Sequence, residues 1–368
     1  MTMKVMGWPA FSNKAVNPYT SLLYEGMQRK GAEVVEYTGP FRNTGRFDVL
    51  HVHWPDYELR NPSWVKAYVR CLIFFFVVLR AKLRGTRIVW TAHNLQSHEC
   101  RHPQLEKLFW QALLPLLDGV ISLSDAGIVQ VREKKLGDRK IPVGSVAHGH
   151  YRDCYPNQVS REKARAKFGL DAAALVVAWI GQIRPYKGLE ELVSAWARIG
   201  EADRALLIGG LSSDPGLTQL LEESAQRDGT IRFYEGRVED GDLQFYFNAA
   251  DVVVMPYRKI LNSGSALLAL SFNRPVVLPR SPVMEELRAR VGADWVYLYE
   301  GEFNDEVLRQ VFAWLKRQSR PERAPLSSLD WDVLAEQTLV FYGEVIGKGK
   351  RTPDAAFTLE RTSAGRRA

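Results

Sequence analysis

The stretch Leu175-Val-Val-Ala-Trp-Ile-Gly-Gln-Ile-Arg-Pro-Tyr-Lys-Gly188 decides the fold class of this 368-residue chain. Its first six residues form an apolar run of the kind found in buried parallel strands. The residues after Gly188 have apolar side chains at helical spacing. Arg184 and Lys187 therefore lie in a glycine-containing turn that connects a strand to a helix. Open α/β sheets bind ligands at the carboxyl ends of strands, and two cations beside helix-terminal N–H groups suit a diphosphate. The alternative is a solvated basic turn.

A second turn of this kind lies downstream, where Asn262-Ser-Gly-Ser265 follows the apolar residues 251–255 and opens an apolar helix. Ser263 and Ser265 are natural N-cap residues, and Gly264 lets a ligand approach the backbone at the positive end of the helix dipole. Plain helix capping is the alternative interpretation. Because two such turns occur in one half of the chain, a bound nucleotide diphosphate explains both, with Asn262 as a further donor-binding candidate.

Strand and helix patterns alternate along the whole chain, which predicts two parallel sheets with helices on both faces. The predicted strands are residues 4–7, 33–37, 49–53, 87–91, 119–122, 143–147, 175–180, 205–208, 231–234, 252–255, 276–278 and 296–299. The fold class is therefore α/β, with two Rossmann-like doubly wound domains facing a cleft. We predict a first domain over residues 1–155 and a second over residues 156–346. The last helix of the second domain is a candidate for packing back on the first domain. A disordered basic tail is expected over 347–368.

The chain is globular in composition, with 46% hydrophobic and 25% charged residues. Its three cysteines, Cys71, Cys100 and Cys154, have no metal spacing, and their odd number indicates a reducing cytoplasm rather than a disulfide framework. The net charge of +7 is concentrated in residues 1–155, which hold 21 Lys or Arg and 13 Asp or Glu. Since no nucleic-acid-binding module is recognisable, we expect an anionic membrane surface and not nucleic acid as the partner of this basic half.

The predicted helix over residues 64–84 is the second indication of a membrane. It contains the run Cys71-Leu-Ile-Phe-Phe-Phe-Val-Val-Leu79, which is too short to span a bilayer, and it is flanked by Lys and Arg. An apolar helix with basic ends can lie in the interface of an anionic membrane, and we expect Phe74, Phe75 and Phe76 to make that contact. The alternative is a buried domain helix. The predicted location is cytoplasmic, on the inner face of the cell membrane.

Several segments together resemble the GT-B glycosyltransferases, and most closely the β-mannosyltransferase family of bacterial xanthan-type exopolysaccharide assembly. The segments that carry the resemblance are Asn17-Pro-Tyr19, residues 47–56, Ala92-His-Asn-Leu95 with His98-Glu99, residues 148–153, the two turns described above, and residues 295–303. The resemblance implies an inverting transfer of mannose from GDP-mannose to a lipid-linked oligosaccharide. An inverting displacement needs a general base and no organic cofactor.

One departure from the wider GT-B group concerns the donor helix. Many retaining members carry two glutamates there with seven residues between them, but alignment on Pro275-Val-Val277 places Ile260 and Leu268 at those positions. The usual carboxylate for the ribose is therefore missing, so either another residue holds the ribose or the nucleotide sits differently, and the retaining stereochemistry of that group does not carry over. The alternative within the same fold is a UDP-sugar donor such as UDP-glucuronate or UDP-glucose. A nucleotide-sugar epimerase and a catalytically silent nucleotide-binding subunit are the alternatives from other functional classes.

The catalytic base is sought among polar side chains that follow strands of the first domain, since these ends should face the donor. Asp56 is the first candidate, His93 the second, and Asp153 a third. Asn17 follows the first strand and is a candidate donor contact. The remaining candidates for contact with the acceptor or the sugar are His53, Glu99, His148 and His150. No metal is expected, because Arg184 and Lys187 already supply positive charge for the phosphates.

Overall fold

A computed structural model describes residues 2–43, 45–95, 101–200, 203–258, 264–317 and 320–347. Two six-stranded parallel sheets organise these residues. The predicted residues Glu99, Asn262 and Ser263, and the expected tail beyond residue 347, lie outside the described ranges. All twelve predicted strands are confirmed, with ends that differ by at most two residues.

The first sheet has the strand order β2-β1-β3-β4-β5-β6, with every neighbouring pair parallel. Its strands are β1 Lys4–Trp8, β2 Glu33–Glu36, β3 Val49–Val52, β4 Arg87–Ala92, β5 Gly119–Ser122 and β6 Val143–Ser145. The helices that connect them are α1 Tyr19–Arg29, α2 Trp64–Leu83, α3 Pro103–Leu113 and α4 Asp125–Val131. The short strand β6 ends where the backbone turns into the crossover to the second sheet.

The second sheet has the order β12-β11-β10-β7-β8-β9 and is also parallel throughout. Its strands are β7 Leu175–Ile180, β8 Arg204–Gly210, β9 Ile231–Glu235, β10 Val252–Val254, β11 Val276–Pro279 and β12 Val296–Tyr299. Its helices are α5 Arg161–Lys167, α6 Leu189–Ala197, α7 Pro215–Arg227, α8 Leu243–Ala249, α9 Gly264–Ser271, α10 Pro282–Val291 and α11 Asp305–Arg317. Apolar clusters cover both faces of each sheet, as the near-continuous hydrophobic strands require.

The last described helix, α12 Trp331–Ile346, returns to the first sheet and packs against α1. Its buried side chains belong to the same apolar cluster as those of α1 and of strands β1, β3 and β4. Two ion pairs, Arg29 with Asp332 and Lys30 with Glu336, join the exposed edges of the two helices. The chain therefore crosses between the sheets twice, and its carboxyl-terminal helix is built into the core of the first half.

Helix α2 is apolar on two faces. The inner face is buried against the sheet and includes Cys71, Phe74 and Val78. The outer face of α2 consists of nine apolar residues that are each 41% or more exposed: Trp64, Val65, Tyr68, Val69, Leu72, Ile73, Phe76, Leu79 and Leu83. The expectation that all three phenylalanines face outward is wrong, because Phe74 is 1% exposed and packs against Trp8 and Phe109. Within the described ranges no helix is both long enough and apolar enough to cross a membrane.

Candidate active site

The glycine turn after β7 and the segment that follows β10 lie side by side at the carboxyl edge of the second sheet. Strands β7 and β10 are neighbours. From β7 the sheet continues through β8 and β9 on one side, and β10, β11 and β12 form its other side, so the strand order reverses between β7 and β10. This is the topological switch point at which doubly wound sheets bind ligands. The two segments are in close contact: a Cβ at Gly188 would lie 2.0 Å from the carbonyl oxygen of Pro256, which follows β10, and Gly188 has φ +70°. Only glycine satisfies both conditions.

Lys187 is a buried cation at this switch point. It is 9% exposed, and burial, followed by the nearby Arg184 charge, lowers its pKa to about 8. Its Nζ lies 5.5 Å from the ring centres of Trp179 and Tyr257, and this ammonium makes no hydrogen bond or ion pair with any residue in the described part of the chain. Burying an ammonium without an anionic partner is costly, so the site is chemically incomplete until an anion arrives.

The neighbouring arginines are engaged differently. Arg184 precedes Lys187 in the turn, and its guanidinium donates to the Ser213 hydroxyl. Arg258, which follows β10, forms ion pairs with Glu190 and Glu191 at the start of α6. Arg258 is thus neutralised by two carboxylates, whereas Lys187 is left for a ligand.

The predicted apolar helix is present as α9, which starts at Gly264, two residues before the predicted Ala266, and Ser265 is half-buried in its first turn. A Cβ at Gly264 would lie 3.3 Å from His148 Nε2 and 3.4 Å from the Tyr151 hydroxyl. The amino end of α9 therefore faces residues of the first half across the cleft. Leu268, where a ribose-binding glutamate was sought, packs against the apolar cluster of the second sheet and offers no polar group.

On the opposite side of the cleft, the ring of Tyr19 is surrounded by aromatic and histidine side chains. His93 and His148 each lie 4.8 Å from it, centre to centre, and Trp331 lies at 5.2 Å. Tyr19 sits at the start of α1, where its backbone N–H donates to Asn17 Oδ1. His148 also lies next to Gly264, as described above. The aromatic cluster around Tyr19 and the amino end of α9 therefore line the same part of the cleft.

The histidines predicted from sequence fall into different environments. His53 is 1% exposed and uses both ring nitrogens in hydrogen bonds, to the hydroxyl of Tyr24 (2.9 Å) and to Nε2 of His93 (3.0 Å). Burial holds the pKa of His53 and His93 well below the ordinary histidine value. Both imidazoles are therefore neutral, and both ring nitrogens of His53 are engaged within the protein.

His148 and His150 follow β6 but differ in what their rings can do. His148 Nδ1 donates to the Gly149 carbonyl oxygen at 2.8 Å, and burial lowers its pKa to about 4. Its Nε2 therefore carries a lone pair on the side of the cleft. His150 is bonded to Asp330 Oδ1 (2.6 Å) and accepts from the Arg152 N–H, so it ties the crossover segment to the start of α12.

The carboxylate candidates are less central. Asp56 follows β3 at the predicted edge, and its carboxylate pairs with Arg60 at 3.0 Å. Asp153 is exposed on the crossover, with φ +68°. Within the described ranges no three His, Cys, Asp or Glu side chains are grouped as a metal site would require. The base role of Asp56 and the role of Asp153 stay predictions.

Three features of the site were not found from the sequence. Tyr24 and Tyr342 bind the buried histidines, and Glu286 of α10 accepts hydrogen bonds from the backbone N–H groups of Asp125 and Ala126 at the start of α4. The Glu286 contact joins the two halves across the cleft. No local pattern marks these residues, because their partners are 27 to 291 positions away in the chain.

Comparison with known proteins identifies the family of the chain. Residues 174–309 match the family model for group 1 glycosyl transferases. The chain is 30% identical over 339 residues to the GDP-mannose:glycolipid 4-β-D-mannosyltransferase of Xanthomonas campestris pv. campestris, covering 91% of this chain and 90% of that protein. A D-inositol 3-phosphate glycosyltransferase of Corynebacterium urealyticum is 26% identical over 284 residues, covering 70% of this chain and 62% of that protein.

Solved structures confirm the fold. Sucrose-phosphate synthase from Thermosynechococcus elongatus superimposes with a TM-score of 0.66 at 17% identity, covering 94% of this chain and all of that one. A glycosyltransferase from Rickettsia africae gives 0.63 at 14% identity, with 95% and 99% covered. The two parallel sheets, the cleft and the match over nine-tenths of a named enzyme agree: the chain is a glycosyltransferase of the GT-B fold and belongs to the family of the GDP-mannose:glycolipid 4-β-mannosyltransferase.

Proposed function

We propose that this enzyme transfers mannose, with inversion, from GDP-mannose to a lipid-linked glycan at an anionic membrane surface. The donor and the acceptor class are taken from the printed activity of the Xanthomonas relative. The single observation that carries the proposal in this chain is Lys187, a buried ammonium at the sheet switch point with no anionic partner in the described ranges. A nucleotide diphosphate at this position supplies the missing negative charge.

The residues of the cleft have separate roles in this reaction. Lys187, Arg184 and the amino end of α9 bind the diphosphate and stabilise the charge that develops on it as it leaves. An acceptor hydroxyl oxygen bonds to the anomeric carbon while the bond from that carbon to the phosphate oxygen breaks. The electron pair departs with the nucleoside diphosphate, and the hydroxyl proton passes to a base, for which Asp56 is the candidate. These two cations neutralise the leaving group without a resident metal.

The outer face of α2 supports the membrane part of the proposal. Its apolar side chains recur at helical spacing along the solvent side of a twenty-residue helix, and Phe41, 75% exposed, extends the patch beside Phe76. Cations flank it at Lys66 and Arg84. An exposed apolar stripe between basic side chains suits the interface of an anionic bilayer, where a lipid-linked acceptor is held.

The donor is tested by incubating the purified enzyme with lipid-linked acceptor and radiolabelled GDP-mannose, UDP-glucose or UDP-glucuronate. We expect label in the lipid fraction from GDP-mannose alone, without loss on addition of EDTA, and a β linkage by NMR of the product. Lys187→Ala is the negative control and should give little label in the lipid fraction, because it removes the positive charge at the phosphates and leaves the first half unchanged. Transfer from a UDP-sugar would reject the donor, and an α linkage would reject inversion.

The membrane contact is tested with vesicles of 30% phosphatidylglycerol in phosphatidylcholine, a composition chosen for the assay. The variant Leu72→Ser/Phe76→Ser/Leu79→Ser should lose vesicle binding while its circular dichroism stays normal, because these side chains are 47–51% exposed. Val340→Ser on α12 is the control, since Val340 is 61% exposed on a different surface. Equal sedimentation of the triple variant and the control with vesicles would contradict the contact.

A further inference from the structure

Tyr19 is a buried tyrosine whose hydroxyl makes no hydrogen bond with any of the described residues. It is 1% exposed, and burial holds its pKa well above the usual tyrosine value, so the hydroxyl keeps its proton. The hydroxyls of Tyr24 and Tyr342, which are buried nearby, are both hydrogen-bonded to the ring nitrogens of His51 or His53. A buried tyrosine normally finds a partner for its hydroxyl, because leaving the group unpaired is costly. The partner of Tyr19 must therefore come from outside the described protein.

The hydroxyl oxygen of Tyr19 can be reached from the cleft. Among the described residues, the unbonded side-chain oxygens that are fully enclosed include the hydroxyl of Thr20, the next residue, and do not include that of Tyr19. The 1% of Tyr19 that stays exposed therefore includes its hydroxyl. The backbone N–H of Tyr19 donates to Asn17 Oδ1, which fixes the start of α1 behind the side chain. A group bound in the cleft can thus accept a hydrogen bond from this hydroxyl.

The ring of Tyr19 is held in one orientation by four edge-to-face contacts. The rings of His93, His148, Trp331 and His53 lie 4.8, 4.8, 5.2 and 5.8 Å from it, centre to centre, at interplanar angles of 61–84°. Such contacts favour a defined ring geometry and do not involve the hydroxyl. The direction in which the hydroxyl is presented is therefore fixed by packing, and removal of the hydroxyl alone leaves that packing in place.

The position of this cluster in the cleft identifies the group that it meets. His148, in contact with Tyr19, has its Nε2 3.3 Å from the place of a Cβ at Gly264, at the amino end of α9. The proposed function places the diphosphate at that end of α9, and the transferred sugar is bonded directly to the diphosphate. The sugar is therefore the part of the donor that extends from α9 toward Tyr19, whereas the acceptor hydroxyl approaches from the side of Asp56.

We propose that Tyr19 is a specificity-determining residue that donates a hydrogen bond to a hydroxyl oxygen of the transferred sugar, in a subsite that takes neutral hexoses and rejects uronic acids. The assignment rests on the proposed function for the position of the diphosphate. Every side chain in ring contact with Tyr19 is uncharged, because burial lowers the pKa of the three histidines and Trp331 does not titrate. The carboxylate of a uronic acid would lose hydration against these rings and gain no positive charge from them, which is costly.

The sugar contact is tested with Tyr19→Phe, which removes the hydroxyl and keeps the ring. We expect kcat/KM for GDP-mannose to fall about 2- to 10-fold, the effect of one neutral hydrogen bond, while the Kd for GDP, which lacks the sugar, keeps its wild-type value by calorimetry. Tyr297→Phe, which removes a hydroxyl bonded to Gln310 on the second half, is the control and should change neither quantity. A weaker GDP affinity in Tyr19→Phe would move the contact to the phosphates, and an unchanged kcat/KM would remove it; either result overturns the assignment.

The sugar hydroxyl that accepts from Tyr19 is identified with GDP-mannose analogues that each lack one hydroxyl of the sugar. The analogue without the bonded hydroxyl should lose kcat/KM with the wild-type enzyme and lose nothing further with Tyr19→Phe, since the two changes remove the same hydrogen bond. The other analogues should show losses that add to that of the variant. Additive losses for every analogue would overturn the contact with the donor sugar.

The preference for a neutral sugar is tested by comparing GDP-mannose with GDP-mannuronate, in which a carboxylate replaces the hydroxymethyl group. We expect kcat/KM for the uronate to be lower by about 100-fold or more. Equal use of the two donors would overturn the neutral subsite. Transfer from UDP-glucose in the earlier assay would reject GDP-mannose as the donor and leave the role of Tyr19 to be measured with UDP-glucose in the same way. Transfer from UDP-glucuronate would overturn both.

Discussion

Replacing Lys187 by methionine should change the stability of the free enzyme and its affinity for nucleotide in opposite directions. The pKa of Lys187 is about 8 in the folded protein instead of 10.5, chiefly because burial disfavours the ammonium. A folded-state pKa below the unfolded value means that the charged side chain destabilises the fold at neutral pH. A shift of this size corresponds to about 3 kcal/mol, taken as an upper limit for the free energy of unfolding that Lys187→Met regains at pH 7.

The pH dependence follows from the same shift. Below pH 8 the side chain is charged in both states and the full cost is present. As pH rises from 8 to 10.5 the folded protein releases its proton first, so the cost declines and the gain in Lys187→Met declines with it. Denaturant unfolding of both proteins at pH 7 and pH 10 measures this difference. Because tryptophans lie in both domains, the transition of the second domain is identified as the one whose midpoint responds to the substitution at Lys187.

Nucleotide binding should respond in the opposite sense. Removing the ammonium deprives the diphosphate of a charged hydrogen bond worth about 1.5–3 kcal/mol, or about 10- to 100-fold in Kd for GDP by calorimetry. Wild-type affinity should be constant below pH 8 and weaken above it, whereas the methionine variant should show no such break. Lys187→Arg is the control that keeps the charge. Unchanged GDP affinity in Lys187→Met would refute the site, and a destabilised variant would show that Lys187 has an anionic partner within the protein.

Three further outcomes are expected. Phe74→Ser should destabilise the protein by about 3–5 kcal/mol, since Phe74 is 1% exposed, whereas Phe76→Ser on the outer face should shift the unfolding midpoint little; equal effects would contradict the two-faced helix. Gly188→Ala should distort the glycine turn after β7, because the new Cβ would lie 2.0 Å from the Pro256 carbonyl oxygen, and GDP affinity should fall. Gly200→Ala is the control, since its Cβ has no atom within 4 Å, and its GDP affinity should stay at the wild-type value. Glu286→Ala should loosen the contact between the halves, seen as a larger radius of gyration by small-angle scattering relative to Glu285→Ala; identical radii would mean that the Glu286 hydrogen bonds do not hold the cleft.

The α/β class, all twelve strands and the glycine turn after β7 were determined by sequence. The reason is that each depends on local pattern: an apolar run followed by glycine and cations, as in residues 175–188, encodes a buried strand and the turn after it. The same local information predicted the apolar helix α9, which starts two residues earlier than expected. The segments shared with the β-mannosyltransferase family could be recognised for the same reason, because they are contiguous.

Tertiary structure alone decided which polar residues meet. Tyr342 reaches His51 across 291 positions because α12 returns to the first sheet, and nothing in the sequence near either residue marks that contact. The faces of α2 were likewise undecided by sequence, since a helix that is apolar all round has no pattern to show which side is buried; packing against β4 placed Phe74 inside and Phe76 outside. The hydrogen bonds of His53 to Tyr24 and to His93 likewise join residues that are 29 and 40 positions apart, so only the folded sheet brings these side chains together.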